Sequence, residues 1–79
     1  MPLYFFDTRD EDEFIEDDVG VDLPDLETVE VVAAQALIEL ARDAIPGSAR
    51  RELAVEVRDE DGPIMRATIM FEAVILRQE

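Results

Sequence analysis

The sequence lacks the side chains that most enzymes use to move protons or to form covalent intermediates near neutral pH. It contains no histidine, cysteine or lysine, which removes the commonest general bases and nucleophiles. The only serine, Ser48, follows Pro46-Gly47 and has no histidine to activate it, so we interpret it as a turn residue. We therefore predict a protein that is not an enzyme, with no catalytic residue and no cofactor.

Carboxylates are the remaining groups that could do chemistry, and they are concentrated near the start of the chain. The 79 residues include 21 acidic side chains against 7 arginines, a net charge of −14. Of these acids, 12 lie in residues 1–30, where Arg9 is the only base. The densest group forms a predicted acidic patch, which consists of Asp10, Glu11, Asp12, Glu13, Glu16, Asp17 and Asp18.

The acidic patch could in principle bind a metal ion or act as an acid and base pair. Ca²⁺ and Mg²⁺ prefer oxygen ligands, but neither this segment nor Asp59-Glu60-Asp61-Gly62 has the spacing of an EF-hand loop. Glycoside hydrolysis needs two carboxylates on either side of a cleft, and so small a chain offers no obvious one. We predict no metal site, and a domain that binds a divalent cation or a small ligand stays as an alternative.

The negative charge limits the partners that this protein can have. It disfavours direct contact with nucleic acids and anionic membranes and favours a basic protein. A nucleic-acid mimic or an antitoxin-like inhibitor of a basic protein is a further alternative. The chain starts without a basic segment and has no apolar run of membrane-spanning length, so we expect no membrane association and a cytoplasmic location.

Two hairpins flank a helix in the predicted order of elements. The aromatic run Leu3–Thr8 predicts a strand, and Glu13–Glu16 is the plausible return strand after an acidic turn. Residues 52–58 alternate with period two, which predicts a third strand. The run from Ile64 to about Ile75 completes the second hairpin, with Met65, Ala67, Ile69 and Phe71 facing inward and Ile64, Met70, Val74 and Leu76 facing outward.

A helix of about five turns is predicted between Pro24-Asp25 and Pro46-Gly47, which are typical start and stop signals. Apolar residues at steps of three and four form a core stripe of Leu26, Val29, Ala33, Ala36, Leu37, Leu40 and Ala44. A second stripe lies about 120° further round the helix and consists of Val31, Ala34, Ile38, Ala41 and Ile45.

These elements predict one α+β domain over residues 1–79, with a four-stranded antiparallel sheet and one amphipathic helix on one face, in the order ββαββ. We expect the strand order 2-1-3-4, which keeps the aromatic first strand central. The predicted core consists of Phe5, Leu26, Val29, Ala33, Leu37, Leu40, Leu53, Val55, Ile69 and Phe71.

Three segments resemble a family of short bacterial proteins that is classed only as a domain of unknown function. They are Tyr4-Phe5-Phe6-Asp7, Leu23-Pro24-Asp25-Leu26-Glu27 and the strand from Arg51 to Asp59. The resemblance covers nearly the whole chain and implies a compact ββαββ domain with no assigned activity or site residue. Such proteins typically have an Asp/Asn-Gly turn where this chain has Arg9-Asp10-Glu11-Asp12.

The second stripe carries the functional prediction. One apolar face is enough to pack a helix on a sheet, so the second stripe must meet a sheet edge, a chain end or another molecule. A domain of this size has a marginal core and has neither disulfides nor ordinary zinc sites to stabilise it. We therefore predict a protein–protein interaction domain that forms a homodimer through the second stripe. The alternative is that the stripe is sunk between a strand and a chain end.

Overall fold

A computed structural model describes residues 2–77 of the chain. The elements are β1 (Leu3–Asp10), β2 (Glu13–Ile15), β3 (Val21–Asp22), α1 (Leu26–Ala44), β4 (Arg50–Asp59) and β5 (Gly62–Glu72). All neighbouring strands are antiparallel, in the order β2-β1-β4-β5, and β3 also pairs with β1. The α+β class and the strand order were predicted correctly.

The third strand of this numbering, β3, was not predicted. It lies on the same edge of β1 as β2, because β4 occupies the other edge. The partners Thr8 and Ile15 are followed along this edge by Tyr4 and Val21, so five residues of the outer chain, 16–20, lie opposite three residues of β1. β2 and β3 therefore form one edge strand that is interrupted by a loop.

The helix starts where its cap predicts. Asp25 has an extended backbone, and its carboxylate accepts hydrogen bonds from the Thr28 amide at 2.8 Å and the Thr28 hydroxyl at 2.7 Å. These bonds lower the pKa of Asp25, since they favour the ionised form. The helix ends before Pro46, and Gly47 turns the chain with a φ of 91°.

The core lies between the helix and the inner face of the sheet. The fully buried residues include Val29, Ala33, Leu53, Val55 and Val57. The predicted stripe is correct at these helix positions and at Leu37, whereas Leu40, Ile69 and Phe71 are half-buried.

Two core predictions were wrong. Leu26 is 59% exposed, because the helix begins at this residue and Leu23, before the cap, packs against the core instead. Phe5 is half-buried on the outer face of the sheet, since Tyr4 and Phe6 occupy the inner face of the same strand. An aromatic run without polar alternation gave no signal of which residues face the helix.

Candidate functional site: the two edges of the sheet

The acidic patch lies along the β1–β2 hairpin and the loop after it, at one edge of the sheet. Its members do not act alike, because three of them bond to other parts of the chain: Asp10, Glu11 and Asp17. The other four carboxylates are exposed and accept no hydrogen bond within residues 2–77, and they are Asp12, Glu13, Glu16 and Asp18. Of these, Glu16 lies 3.9 Å from the Arg58 guanidinium. The sequence could not separate these groups, since each of the three residues has a partner 11 or more positions away.

Asp10 is bound by an arginine from the neighbouring strand. The Arg51 guanidinium donates from Nε to Asp10 Oδ1 at 2.7 Å and from its terminal nitrogen to Oδ2 at 2.8 Å. This bidentate bond lowers the pKa of Asp10 and raises the pKa of Arg51. The pair fastens the end of β1 to β4.

Glu11 occupies the turn between β1 and β2. Its backbone has a φ of 55°, the left-handed conformation that glycine or asparagine adopts more readily. Its amide donates to the Glu52 carbonyl at 3.1 Å, and its carboxylate accepts from the Glu52 amide at 3.0 Å. The turn therefore continues the β1–β4 ladder by one residue pair.

The sequence did not predict a partly buried ion pair on the outer face of the sheet, between Asp7 and Arg58. Asp7 is only 5% exposed, and Arg58 donates to its carboxylate from Nε at 2.9 Å. The same guanidinium lies 4.4 Å above the Phe5 ring and donates to the Asp17 carbonyl at 2.8 Å. The hydrogen bond that Arg58 donates to Asp7 raises the pKa of Arg58, although burial acts against this. A charged residue within an apolar strand was the available signal.

The Asp17 carboxylate replaces the missing part of the interrupted edge strand. Its Oδ2 accepts from the Phe6 amide at 3.0 Å, and its Oδ1 accepts from the Val19 and Gly20 amides at 3.0 and 3.2 Å. Burial alone would raise the pKa of Asp17, but the three amide bonds outweigh it and the pKa is lowered. Gly20 is needed beside it, because a Cβ atom there would lie 2.9 Å from the Phe5 ring.

The outer face of the sheet carries most of the arginines in charge pairs. Glu56 lies between Arg9 and Arg66, at 3.3 and 3.5 Å, and Arg50 contacts Glu72 at 3.2 Å. Exposed pairs of this kind add little to stability. They give this face a balanced charge, so the excess of acid lies at the β1–β2 edge, on the helix and at the 59–61 turn.

The opposite edge, along β5, is not paired by any strand within residues 2–77, and it exposes the apolar Ile64 and Met70 beside Arg66, Thr68 and Glu72. The inward residues of β5 (Met65, Ala67, Ile69 and Phe71) are only half-buried, whereas the β4 partners of the first three, Val57, Val55 and Leu53, are fully buried. Beyond β5, the tail of residues 73–77 is exposed, and Leu76 is 94% exposed. The predicted outward residues Ile64, Met70, Val74 and Leu76 are all exposed.

The second stripe of the helix is divided between the surface and the core. Val31 and Ile38 are each 55% exposed, and Ala34 is also exposed. Ala41 and Ile45 were placed on the same surface by the prediction, but Ala41 is buried and Ile45 packs against the core. Ala41 lies only about 40° round the helix from the buried Leu37, whereas Ile38 lies about 100° from it. We use the term exposed stripe for Val31, Ala34 and Ile38.

A shallow groove of about 550 Å³ lies at the end of the sheet, lined by residues 2–5 and by the Asp59-Glu60-Asp61 turn. Within residues 2–77, no three carboxylates converge in a way that could hold a metal ion. Ser48 donates from its hydroxyl to the Ala44 carbonyl at 3.0 Å and accepts from Arg51 at 3.1 Å. Its bonds are those of a residue that shapes the helix-to-strand loop.

Comparison with known proteins places the chain in a family but gives no activity. No curated protein and no solved structure matches it. In the described part of the chain, no helix has the length and apolar character needed to cross a membrane. The resemblance seen in the sequence is confirmed, since residues 3–70 match the model of a domain of unknown function. The chain therefore belongs to the DUF6894 family.

Proposed function

We propose that this protein is a non-enzymatic protein–protein interaction domain that associates with a second copy of itself. One observation carries the proposal: the exposed stripe of the helix and the β5 edge both expose apolar side chains, and no strand within residues 2–77 pairs with the outer edge of β5. Exposed apolar surface of this kind is typical of an association site.

The exposed stripe and the β5 edge belong to the same side of the domain. The helix contacts β4 and β5 more than β1, so it lies toward the β5 edge. β3 and β4 run in the same direction, and connections between such strands are right-handed. For a right-handed connection, one side of the helix points toward the β5 edge. This side lies about 120° from the core stripe, counted round the helix in the direction in which residue numbers increase, and it carries the exposed stripe. One association surface can therefore use both.

A charge placed at the centre of the exposed stripe tests the proposal. We expect wild type to be a dimer in sedimentation equilibrium at tens of micromolar and Ile38→Glu to be a monomer, because a two-fold interface repeats the charge on both subunits. Leu26→Glu is the matched control. It adds the same charge to the same helix at a residue of similar exposure, 59% against 55%, but away from the exposed stripe.

The outcomes separate clearly. Monomeric wild type, or an Ile38→Glu variant that stays dimeric, would overturn the proposal. Dissociation by Leu26→Glu to the same extent would show that added negative charge alone prevents association. Circular dichroism of each variant establishes that the fold is retained.

A further inference from the structure

The two edges of the sheet differ in how their backbone groups are satisfied. Along β1, the backbone groups of Tyr4, Thr8 and Asp10 that point away from β4 lie opposite β2 and β3. The Phe6 amide, which points the same way, donates to the Asp17 carboxylate. Along β5, no strand within residues 2–77 pairs with the outer edge. An unpaired edge of this length is a template for another strand.

The register shows which residues of β5 present their backbone groups to this edge. The Ala73 amide donates to the Ala49 carbonyl at 2.8 Å, one step beyond the pair Arg50 and Glu72. Hydrogen-bonded and non-hydrogen-bonded pairs alternate in an antiparallel ladder, so the odd residues of β5 bond to β4. The backbone N–H and C=O groups of four even residues point outward, and these are Arg66, Thr68, Met70 and Glu72.

Charge favours a second copy of this chain at the β5 edge. The acidic patch lies at the far edge of the sheet, so association through β5 keeps the two most acidic regions apart. Residues 62–77 contain Arg66 and Arg77 against Glu72 alone, so this segment is not acidic, although the chain as a whole has a net charge of −14. A second acidic chain would meet less repulsion here than at the β1–β2 edge.

We propose that two copies pair β5 with β5 in an antiparallel register centred on Ile69. This inference rests on the proposed self-association and specifies its geometry. Arg66 then lies opposite Glu72 of the second copy, and Thr68 lies opposite Met70. All four are outward-bonding residues, so each pair exchanges two backbone hydrogen bonds. A shift by two residues in either direction would place Arg66 opposite an apolar residue, Met70 or Val74.

The same register covers the exposed apolar residues of the edge. It brings Val74 of the tail opposite Ile64 of the second copy, two side chains that are otherwise exposed. The half-buried inner rows of both β5 strands become neighbours across the two-fold axis. The two helices then lie on the same face of one continuous sheet, with their exposed stripes directed toward each other.

Disulfide trapping reads the register directly, because the chain has no cysteine of its own. In the proposed register, Ile69 lies on the two-fold axis in a non-hydrogen-bonded pair with a Cα separation of about 4.5 Å, within the range that a disulfide spans. We expect Ile69→Cys to form a covalent dimer on mild oxidation. Thr68→Cys and Met70→Cys should each stay monomeric in non-reducing electrophoresis, whereas an equal mixture of the two should form the mixed dimer.

Amide hydrogen exchange gives a second measurement that needs no substitution. The Thr68 and Met70 amides should exchange more slowly as protein concentration rises through the dimerisation range. The Ile69 amide donates its hydrogen bond to β4 within one subunit, so its protection from exchange does not depend on pairing at the β5 edge.

The results distinguish the proposed self-association from the proposed β5–β5 register. Thr68→Cys or Met70→Cys that crosslinks alone as well as Ile69→Cys would overturn the register. A wild-type dimer without any of these crosslinks and without slower exchange at Thr68 and Met70 would exclude the β5 edge and leave the proposed function intact. A monomeric wild type would overturn both.

Discussion

Replacement of Asp17 by alanine tests whether one carboxylate closes the β1 edge. The change removes the acceptor of three backbone amides, those of Phe6, Val19 and Gly20. Hydrogen bonds to charged groups contribute about 1.5–3 kcal/mol each, but the Val19 bond is exposed and water can replace the lost acceptor there. The main cost is at the Phe6 amide, so we expect Asp17→Ala to lower the free energy of unfolding by about 2–4 kcal/mol.

The assay is urea unfolding, with Asp18→Ala as the matched control. Asp18 is an exposed neighbour in the same acidic patch, and its removal changes the net charge equally. A surface change of this kind stays within about 0.5 kcal/mol. Equal midpoints for Asp17→Ala and Asp18→Ala would refute the reasoning, since the loop would then not depend on the Asp17 bonds.

The effect of Asp17 must also depend on pH, with a defined sign. The pKa of Asp17 is lowered in the folded protein from its ordinary value of 3.8, so the ionised form stabilises the fold above that pH. This contribution is lost as the pH falls through the lowered folded-state pKa. The stability difference between wild type and Asp17→Asn should therefore be full near neutral pH and shrink below pH 3.8. A difference that grows on acidification would contradict the assignment.

Two further predictions concern the core and the charge. Leu37→Ala should lower the free energy of unfolding in urea by about 2–5 kcal/mol, because Leu37 is buried between the helix and the sheet. Phe71→Ala should lower it by less in the monomer, since Phe71 is only half-buried. Equal losses would show that the inward residues of β5 are as well packed as the centre of the core. At a net charge of −14, the thermal midpoint should rise between low and moderate salt as repulsion is screened, and a flat midpoint would show that the acids are already well paired.

The fold was predictable where short-range signals agree with the packing. Pro24-Asp25 and Pro46-Gly47 mark the ends of α1 correctly, because caps and proline act through the nearest backbone groups. The alternation of β4 predicts its buried row correctly. β3 could not be predicted, since a two-residue strand has no period to detect. It is fixed by the loop that Asp17 holds.

The candidate site was predictable only in part, because its deciding contacts are long-range. The sequence treats Asp17 and Asp18 alike, yet only Asp17 reaches the Phe6 amide. Likewise Ala41 and Ile38 were assigned to one stripe, but Ala41 lies about 60° nearer the core stripe, and it is buried whereas Ile38 is exposed. Asp7 and Arg58 lie 51 positions apart, and only the strand register brings them together.

The contrast between the two edges explains why the β5 edge is the better candidate for association. The β1 edge uses β2, β3 and a carboxylate to cover its outward backbone groups, and exposed acids flank it. Natural sheets protect a free edge with charges, proline or bulges along its length. β5 has Pro63 and an irregularity only near its start, and its charged residues Arg66 and Glu72 are paired with Glu56 and Arg50 of the same subunit. The outward backbone groups between them, at Thr68 and Met70, have no such protection. A core made by one helix and a small sheet gives only marginal stability. The proposed pairing would extend that core across the β5 edge.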